Sequence, residues 1–372
     1  MASFSELPLL PSLQGTLAAL ELTTLTDIQA EALPALLEGR ALVGVAETGS
    51  GKTLTFVLPL LHQLKTLETA GSPVTEEGRP RGLVVVPGRE LGEQVAKVFK
   101  SLTHDTRLRV RVALGGSPKK VARQNVAGVF DILVATPGRL RQLMETDALR
   151  LDDVRMLVLD EADQMLDPGF LPGATRVLQA CPGHVQLVLF SATLPAALET
   201  VIEGLFRRVP IRVRTEGSHK VVPTLRTEHR RVPDGRRWEV LRPLLAEAPE
   251  AGTLLFVNTR EQGDRLARDL ASAGLSFACF GGELDPVERR RNLSRFRAGE
   301  LRLLVVTDLA ARGLDVERVE RVVNVHLPRE VETYLHRVGR TARAGRSGLV
   351  VNLVTERDRP LLEALEVSGD RR

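Results

Sequence analysis

At 372 residues the chain exceeds one ordinary domain and points to two, and 43% hydrophobic residues are enough to bury real cores. A formal charge of +4 and a pI of about 9.4 describe a mildly basic surface, built mostly from arginine with its excess in residues 216–372, while 3% aromatics are too few for a base-stacking sheet platform. No apolar run spans a membrane, residues 1–10 carry a glutamate and no basic cluster, and Cys181 and Cys279 lack metal-ligand spacing. Neither an anchor, a signal peptide nor a cysteine metal site is therefore expected, and buried thiols in a reducing cytoplasm are.

In chain order, short β-branched or leucine-rich runs at 41–46, 83–86, 109–114, 132–135, 156–159 and 187–190 predict buried parallel strands. Amphipathic stretches such as 90–102 and 139–145 predict helices between them, which is the alternation of a doubly wound α/β sheet. The Gly/Pro/Glu-rich segment 71–82 reads as a surface loop. The polar stretch 215–235, with Gly217, Pro223, Pro233 and Gly235, breaks the alternation and reads as an interdomain connection. A second series follows, with strands at 253–257, 277–280, 303–306, 322–325 and 350–354 and helices at 261–273 and 287–297. The expected division is a first domain over 1–214, a connection over 215–236 and a second domain over 237–372.

Two segments carry chemistry. Ala46-Glu47-Thr48-Gly49-Ser50-Gly51-Lys52-Thr53 fits a phosphate-binding loop, with Ala46 where the pattern has its first glycine. Gly49 and Gly51 let the backbone approach phosphates, and the helix that follows points its N-terminus at them. Lys52 would neutralise the β- and γ-phosphates, and the Thr53 hydroxyl would ligate Mg2+. Val158-Leu159-Asp160-Glu161-Ala162-Asp163 is an apolar run that ends in carboxylates at the same sheet edge. Asp160 fits an outer Mg2+ ligand and Glu161 a residue that orients and activates water. Carboxylates after a strand are often only helix N-caps, but that would not explain their coincidence with a phosphate loop. The pair predicts hydrolysis of a nucleoside triphosphate.

With these motifs the chain resembles the DEAD-box RNA helicases, spelled at Asp160-Glu161-Ala162-Asp163. The resemblance runs through nearly the whole chain in family order. It covers Phe4, Gln29, Pro87-Gly88-Arg89-Glu90-Leu91, Gly115-Gly116, Thr136-Pro137-Gly138-Arg139, Ser191-Ala192-Thr193 and Phe256-Val257-Asn258-Thr259-Arg260. It continues through Thr307-Asp308-Leu309-Ala310-Ala311-Arg312-Gly313-Leu314-Asp315 and His336-Arg337-Val338-Gly339-Arg340-Thr341-Ala342-Arg343. It implies two tandem RecA-like α/β domains, each a mostly parallel sheet flanked by helices, with ATP and single-stranded RNA bound in the cleft between them.

The resemblance also assigns residues. Phe4 and Gln29 would recognise adenine, and Thr48, Gly49, Ser50, Gly51, Lys52, Thr53, Gly313 and Asp315 would complete the nucleotide site. An amide can pair with adenine N7 and N6, and Phe4 could add stacking, though a core residue of a terminal helix would look the same. Arg89, Gly115, Gly116, Thr136, Gly138, Arg139, Thr259, Arg260, Arg289 and Thr307 would hold the RNA backbone. Taken alone, each turn among them is ordinary. Asp163, Ser191, Thr193 and Arg312 would couple the domains, and His336 would join the water and carboxylate network unless it is a routine surface histidine. Arg340 and Arg343, three apart and so on one helix face, would act as arginine fingers, a role worth several orders of magnitude in rate. A solvated basic face is their bland alternative.

Several positions depart from the family pattern: Glu21-Leu22, Leu25, Gly88, Gly281, Pro286 and Ala342. None touches Lys52, Asp160, Glu161 or the fingers, so an altered RNA grip is expected rather than loss of hydrolysis. The reading is a cytoplasmic, monomeric, RNA-dependent ATPase that unwinds short duplexes with low sequence preference, using ATP and Mg2+ and no membrane. A non-catalytic RNA clamp and a related DNA helicase are the alternatives. An ATPase assay with RNA separates the first, and a comparison of RNA with DNA separates the second.

Overall fold

The computed structural model describes residues 2–46, 49–116, 119–165, 171–194, 196–215, 225–246, 252–281, 284–311, 316, 319–341 and 347–370. The chain divides into two compact units, Met1–Lys220 and Val221–Arg372. In the first, strands β1 (Leu42–Val45), β2 (Gly82–Val85), β3 (Val110–Ala113), β4 (Ile132–Ala135), β5 (Met156–Leu159), β6 (Gln186–Ser191) and β7 (Ile211–Arg214) pair in the order β3-β4-β2-β5-β6-β1-β7. Every neighbouring pair is parallel. Helices α1 (Pro11–Ala19), α2 (Asp27–Leu37), α3 (Lys52–Thr69), α4 (Arg89–Thr106), α5 (Lys119–Asn125), α6 (Pro137–Glu145), α7 (Ala162–Met165), α8 (Leu171–Ala180) and α9 (Ala196–Leu205) flank it.

Parallel strands need crossovers, so the central strands of this sheet are covered on both faces, while the edge strands β3 and β7 stay partly exposed. One face packs Phe56, Leu60, Phe99 and Phe190 with the interior of α1 and α2. The other packs Phe130, Leu140, Leu157 and Leu189 with α6, α8 and α9. Every residue of β1, β2, β4, β5 and β6 is buried, which is why these strands read as continuous apolar runs.

The second unit is a six-stranded sheet. Strands β8 (Leu225–Arg231), β9 (Gly252–Val257), β10 (Phe277–Phe280), β11 (Leu303–Thr307), β12 (Val319–Asn324) and β13 (Gly348–Val354) run in the order β10-β11-β9-β12-β13-β8, again all parallel. Helices α10 (Arg237–Ala246), α11 (Arg260–Ser272), α12 (Pro286–Arg297), α13 (Asp308–Ala311), α14 (Val331–Val338) and α15 (Arg359–Asp370) accompany it.

Two expectations need correction, over 215–236 and at Cys279. The stretch expected to connect the domains over 215–236 contains β8, registered along all seven residues of β13. Its sequence Leu-Arg-Thr-Glu-His-Arg-Arg is polar because β8 is an edge strand with most residues exposed. Segment 71–82 is the expected surface loop, with most of 71–77 exposed, but its C-terminal end is pinned. Arg79 pairs with Asp152 at 2.9 Å, Arg81 is buried and pairs with Asp153 at 2.8 Å, and the Arg150 N–H donates to Gly78 O at 2.9 Å. Cys181 is buried, and burial pushes its thiol up to about 12, whereas Cys279 is half-buried; both are free.

Candidate nucleotide and nucleic-acid site

The loop after β1 is shaped by backbone that only glycine adopts cheaply. Gly49 and Gly51 have φ of +90° and +96°. Gly51 is the N-cap of α3, and a Cβ there would lie 2.5 Å from Gln29 Nε2. Gln29, buried at the start of α2, donates from Nε2 to Gly51 O at 3.2 Å and accepts from the Thr26 N–H at 2.9 Å. It therefore caps α2 and braces the phosphate loop. One amide hydrogen and one lone pair remain for another partner. Lys52 is 7% exposed, and its Nζ donates to Ala46 O at 2.6 Å, so the ammonium is folded onto its own loop. Ser50 and Thr53 are half-buried beside it. Thr48 lies outside the described residues.

β5 delivers the carboxylates. Asp160 and Glu161 are both buried, and Asp160 Oδ1 accepts the Glu161 N–H at 3.0 Å. Burial pushes the Asp160 carboxyl up to about 7; the nearby Lys52 charge opposes this and Glu161 reinforces it. Glu161 has φ +54°, a left-handed conformation uncommon outside glycine, and its Oε2 accepts from Gln164 Nε2 at 2.7 Å. Strand order places these groups together. β6 lies between β1 and β5, with Ser191 in register with Val45 and Leu189 with Leu159. All three strands end at one sheet edge.

At that edge Asp163, Ser191 and Thr193 form a latch. The Asp163 N–H donates to Ser191 Oγ, and Thr193 N–H and Oγ1 both donate to Asp163 Oδ2, each at 3.2 Å. Ser191 Oγ in turn donates to Thr193 O at 2.6 Å.

A second constellation joins the ends of β2, β3 and β4. Arg89 Nη1 donates to Gly115 O at 3.2 Å, and the Gly115 N–H donates to Thr136 Oγ1 at 3.1 Å. Gly116 has φ +79°. Gly138 needs no glycine for packing, since a Cβ there would meet nothing within 4 Å. Arg139 is half-buried and bonds to Gln142. These turns leave backbone N–H groups at the sheet edge, a suitable surface for phosphates.

In the second unit the hub is Arg337, 1% exposed. It donates to both Asp308 oxygens at 2.5 and 2.6 Å, to Asn258 Oδ1 at 2.7 Å, to Asn324 Oδ1 at 3.1 Å and to His326 O at 2.6 Å. It thus fastens segments that follow β9, β11 and β12. Thr259 caps α11, accepting from the Gln262 N–H at 3.3 Å, and Arg260 pairs with Asp264 at 3.6 Å. Arg289 lies over the Phe280 ring, 4.4 Å from its centroid, and donates to Ala310 O at 3.4 Å. Thr307 ends β11, and His336 is half-buried on α14.

Two expectations fail here. Arg340 does not continue a helix face toward Arg343: α14 ends at Val338 with Gly339 as its C-cap, and Arg340 is buried with Nε donating to His336 O at 3.3 Å. Phe4 is 3% exposed inside the first core, so its ring is taken up by packing rather than offered to a base. Arg312, Gly313, Asp315 and Arg343 lie outside the described residues. Sequence reasoning missed Gln164 and the hub role of Arg337. Neither stands out by residue type, and only the fold shows what each side chain meets.

Comparison with known proteins places these features in a family. Residues 26–201 match the model described as DEAD/DEAH box helicase, and residues 236–345 the model described as helicase conserved C-terminal domain. The RNA helicase CrhR of Synechocystis sp. is 36% identical over 98% of this chain and 72% of its own length. The pre-mRNA-processing ATP-dependent RNA helicase PRP5 of Mycosarcoma maydis is 36% identical over 92% of this chain, which spans only 30% of that longer protein. Among solved structures, S. cerevisiae Dbp5 bound to RNA and ADP BeF3 superposes with a TM-score of 0.87, at 29% identity, over 99% of this chain and 93% of that one. The two units are therefore tandem RecA-like domains. Among the described residues, no helix is long and apolar enough to cross a membrane.

Proposed function

The chain belongs to the DEAD-box family of RNA helicases, and from that premise we propose that it is an RNA-dependent ATPase that locally separates short RNA duplexes. The observation that carries this reading is the joint placement of the Gly49–Gly51–Lys52 loop, the buried Asp160–Glu161 pair and the Asp163–Ser191–Thr193 latch at one sheet edge.

In this reading the loop N–H groups and the α3 N-terminus receive the triphosphate, and Lys52 exchanges its Ala46 carbonyl for phosphate oxygens. Gln29 spends its remaining amide valences on adenine. Glu161 orients the attacking water and accepts its proton. Mg2+ would be held by Thr53 and Asp160 and would neutralise phosphate charge. A carboxyl that burial holds up to about 7 even with the Lys52 charge nearby fits such a cation. Asp163 ties the carboxylate segment to Thr193, so a shift of either moves the other. Arg89, Gly115, Thr136, Gly138 and Arg139 take the RNA backbone, with little reading of bases. Thr259, Arg260, Arg289, Thr307, His336, Arg340 and the undescribed Arg312, Gly313, Asp315 and Arg343 keep their family roles within the same proposal. So do a cytoplasmic setting and a monomeric state.

Steady-state hydrolysis of ATP without nucleic acid, with single-stranded RNA and with DNA of the same sequence tests the reading. RNA should stimulate turnover and DNA should not. Turnover that ignores RNA, or answers equally to DNA, overturns it.

A further inference from the structure

Glu161 carries one firm side-chain constraint. Of its two oxygens, Oε2 accepts from Gln164 Nε2 at 2.7 Å, and no other hydrogen bond reaches this carboxylate among the described residues. Gln164 is itself well fixed. It is 8% exposed, and its backbone N–H donates to Glu161 O and to Asp163 Oδ1, both at 3.0 Å. Its amide is turned with nitrogen toward the carboxylate, which leaves its own Oε1 buried without a partner among the described residues. The opposite orientation would set a carbonyl oxygen against a carboxylate oxygen, two acceptors with no proton between them. A side chain there for packing alone would be apolar or would satisfy both ends. This one turns its donor to Glu161.

We infer that Gln164 is a positioning residue for ATP hydrolysis: by holding Oε2 it fixes the plane of the Glu161 carboxylate and leaves Oε1 to receive the proton of the attacking water. The inference rests on the function proposed above. Neighbouring groups do not duplicate the contact. Asp160 Oδ1 and Asp163 Oδ2 are acceptors, taken up by the Glu161 N–H and by Thr193, and give no hydrogen to the Glu161 carboxylate. The Glu161 backbone is in a left-handed conformation, so its side chain starts from an unusual direction and gains most from an external hold.

Gln164→Met keeps length and burial and removes the donor, while Gln164→Glu keeps the shape and replaces the donor with an acceptor. Each should lower the kcat of RNA-stimulated hydrolysis by about ten- to a hundredfold, the scale of a misplaced reacting group. KM for ATP, RNA half-saturation and Tm should stay at wild-type values, because only the transition state needs the oriented carboxylate. Gln164→Arg, which returns N–H groups to the same place, should recover part of the lost kcat. Wild-type kcat in Gln164→Met overturns the inference. So does a loss of KM, RNA binding and Tm together with kcat, which would make Gln164 a packing residue. Wild-type protein that fails to hydrolyse ATP with RNA present sinks the functional reading itself, before any variant is compared.

Discussion

Asp160 is buried at 3% exposure, and desolvation holds its carboxyl up to about 7 against the pull of Lys52. In the unfolded chain the same group ionises at the ordinary aspartate value. Between those two values the folded protein binds more protons than the unfolded one. The contribution of Asp160 to stability therefore falls as pH rises, and its penalty is complete above about 7. Asp160→Asn removes the penalty. In nucleotide-free and metal-free protein it should raise Tm at about pH 8, by roughly 2–4 °C per kcal/mol recovered, with little effect at about pH 4. Thermal scans across that range check the sign, and an offset that does not grow with pH contradicts it. A pair of substitutions divides binding from chemistry at the same edge. Lys52→Ala should sharply weaken ATP binding and abolish turnover, because Lys52 is the cation at the start of α3. Glu161→Gln should keep ATP and RNA affinity and lose turnover. Nucleotide titrations of both variants beside their hydrolysis rates settle the division, and equal loss of affinity in Glu161→Gln would make Glu161 structural.

At the scale of elements, the strand-end turns of the first unit carry the nucleic-acid reading. Gly138 sits in the first turn of α6, and a Cβ there would meet open space. If an RNA backbone passes close to this turn, Gly138→Ala should leave Tm unchanged and weaken RNA binding, whereas unaltered RNA affinity would remove the turn from the contact surface. Elements also show what was legible in the sequence. Central strands stood out because burial on both faces writes them as apolar runs, as in Leu-Val-Gly-Val of β1 and Met-Leu-Val-Leu of β5. The edge strands β7 and β8 were not legible, since partial exposure leaves Ile-Arg-Val-Arg and Leu-Arg-Thr-Glu-His-Arg-Arg looking like loop. The phosphate-loop and Asp160–Glu161 segments stood out by residue type and order. The latch partners Asp163, Ser191 and Thr193 followed from resemblance, and the fold then brought them within 3.2 Å. The one-face argument for Arg340 and Arg343 failed because spacing alone does not reveal where Gly339 ends α14. Arg337 was not legible because its five acceptors come from segments far apart in sequence.

For the whole molecule, the proposed function assigns groups for each ligand to both units. Gln29, Lys52 and Glu161 for the nucleotide and Arg89 and Arg139 for RNA belong to Met1–Lys220. Arg340 for the nucleotide and Thr259, Arg289 and Thr307 for RNA belong to Val221–Arg372. If ATP and RNA each gain contacts when both units engage, each ligand raises the affinity of the other, and linkage makes the gain reciprocal. The most direct measurement is RNA affinity with and without a non-hydrolysable ATP analogue, paired with analogue affinity with and without RNA. The account predicts equal factors in the two directions, on the order of 5–150-fold, or about 1–3 kcal/mol of coupling. RNA and analogue that bind independently would contradict it, even in a protein that hydrolyses ATP.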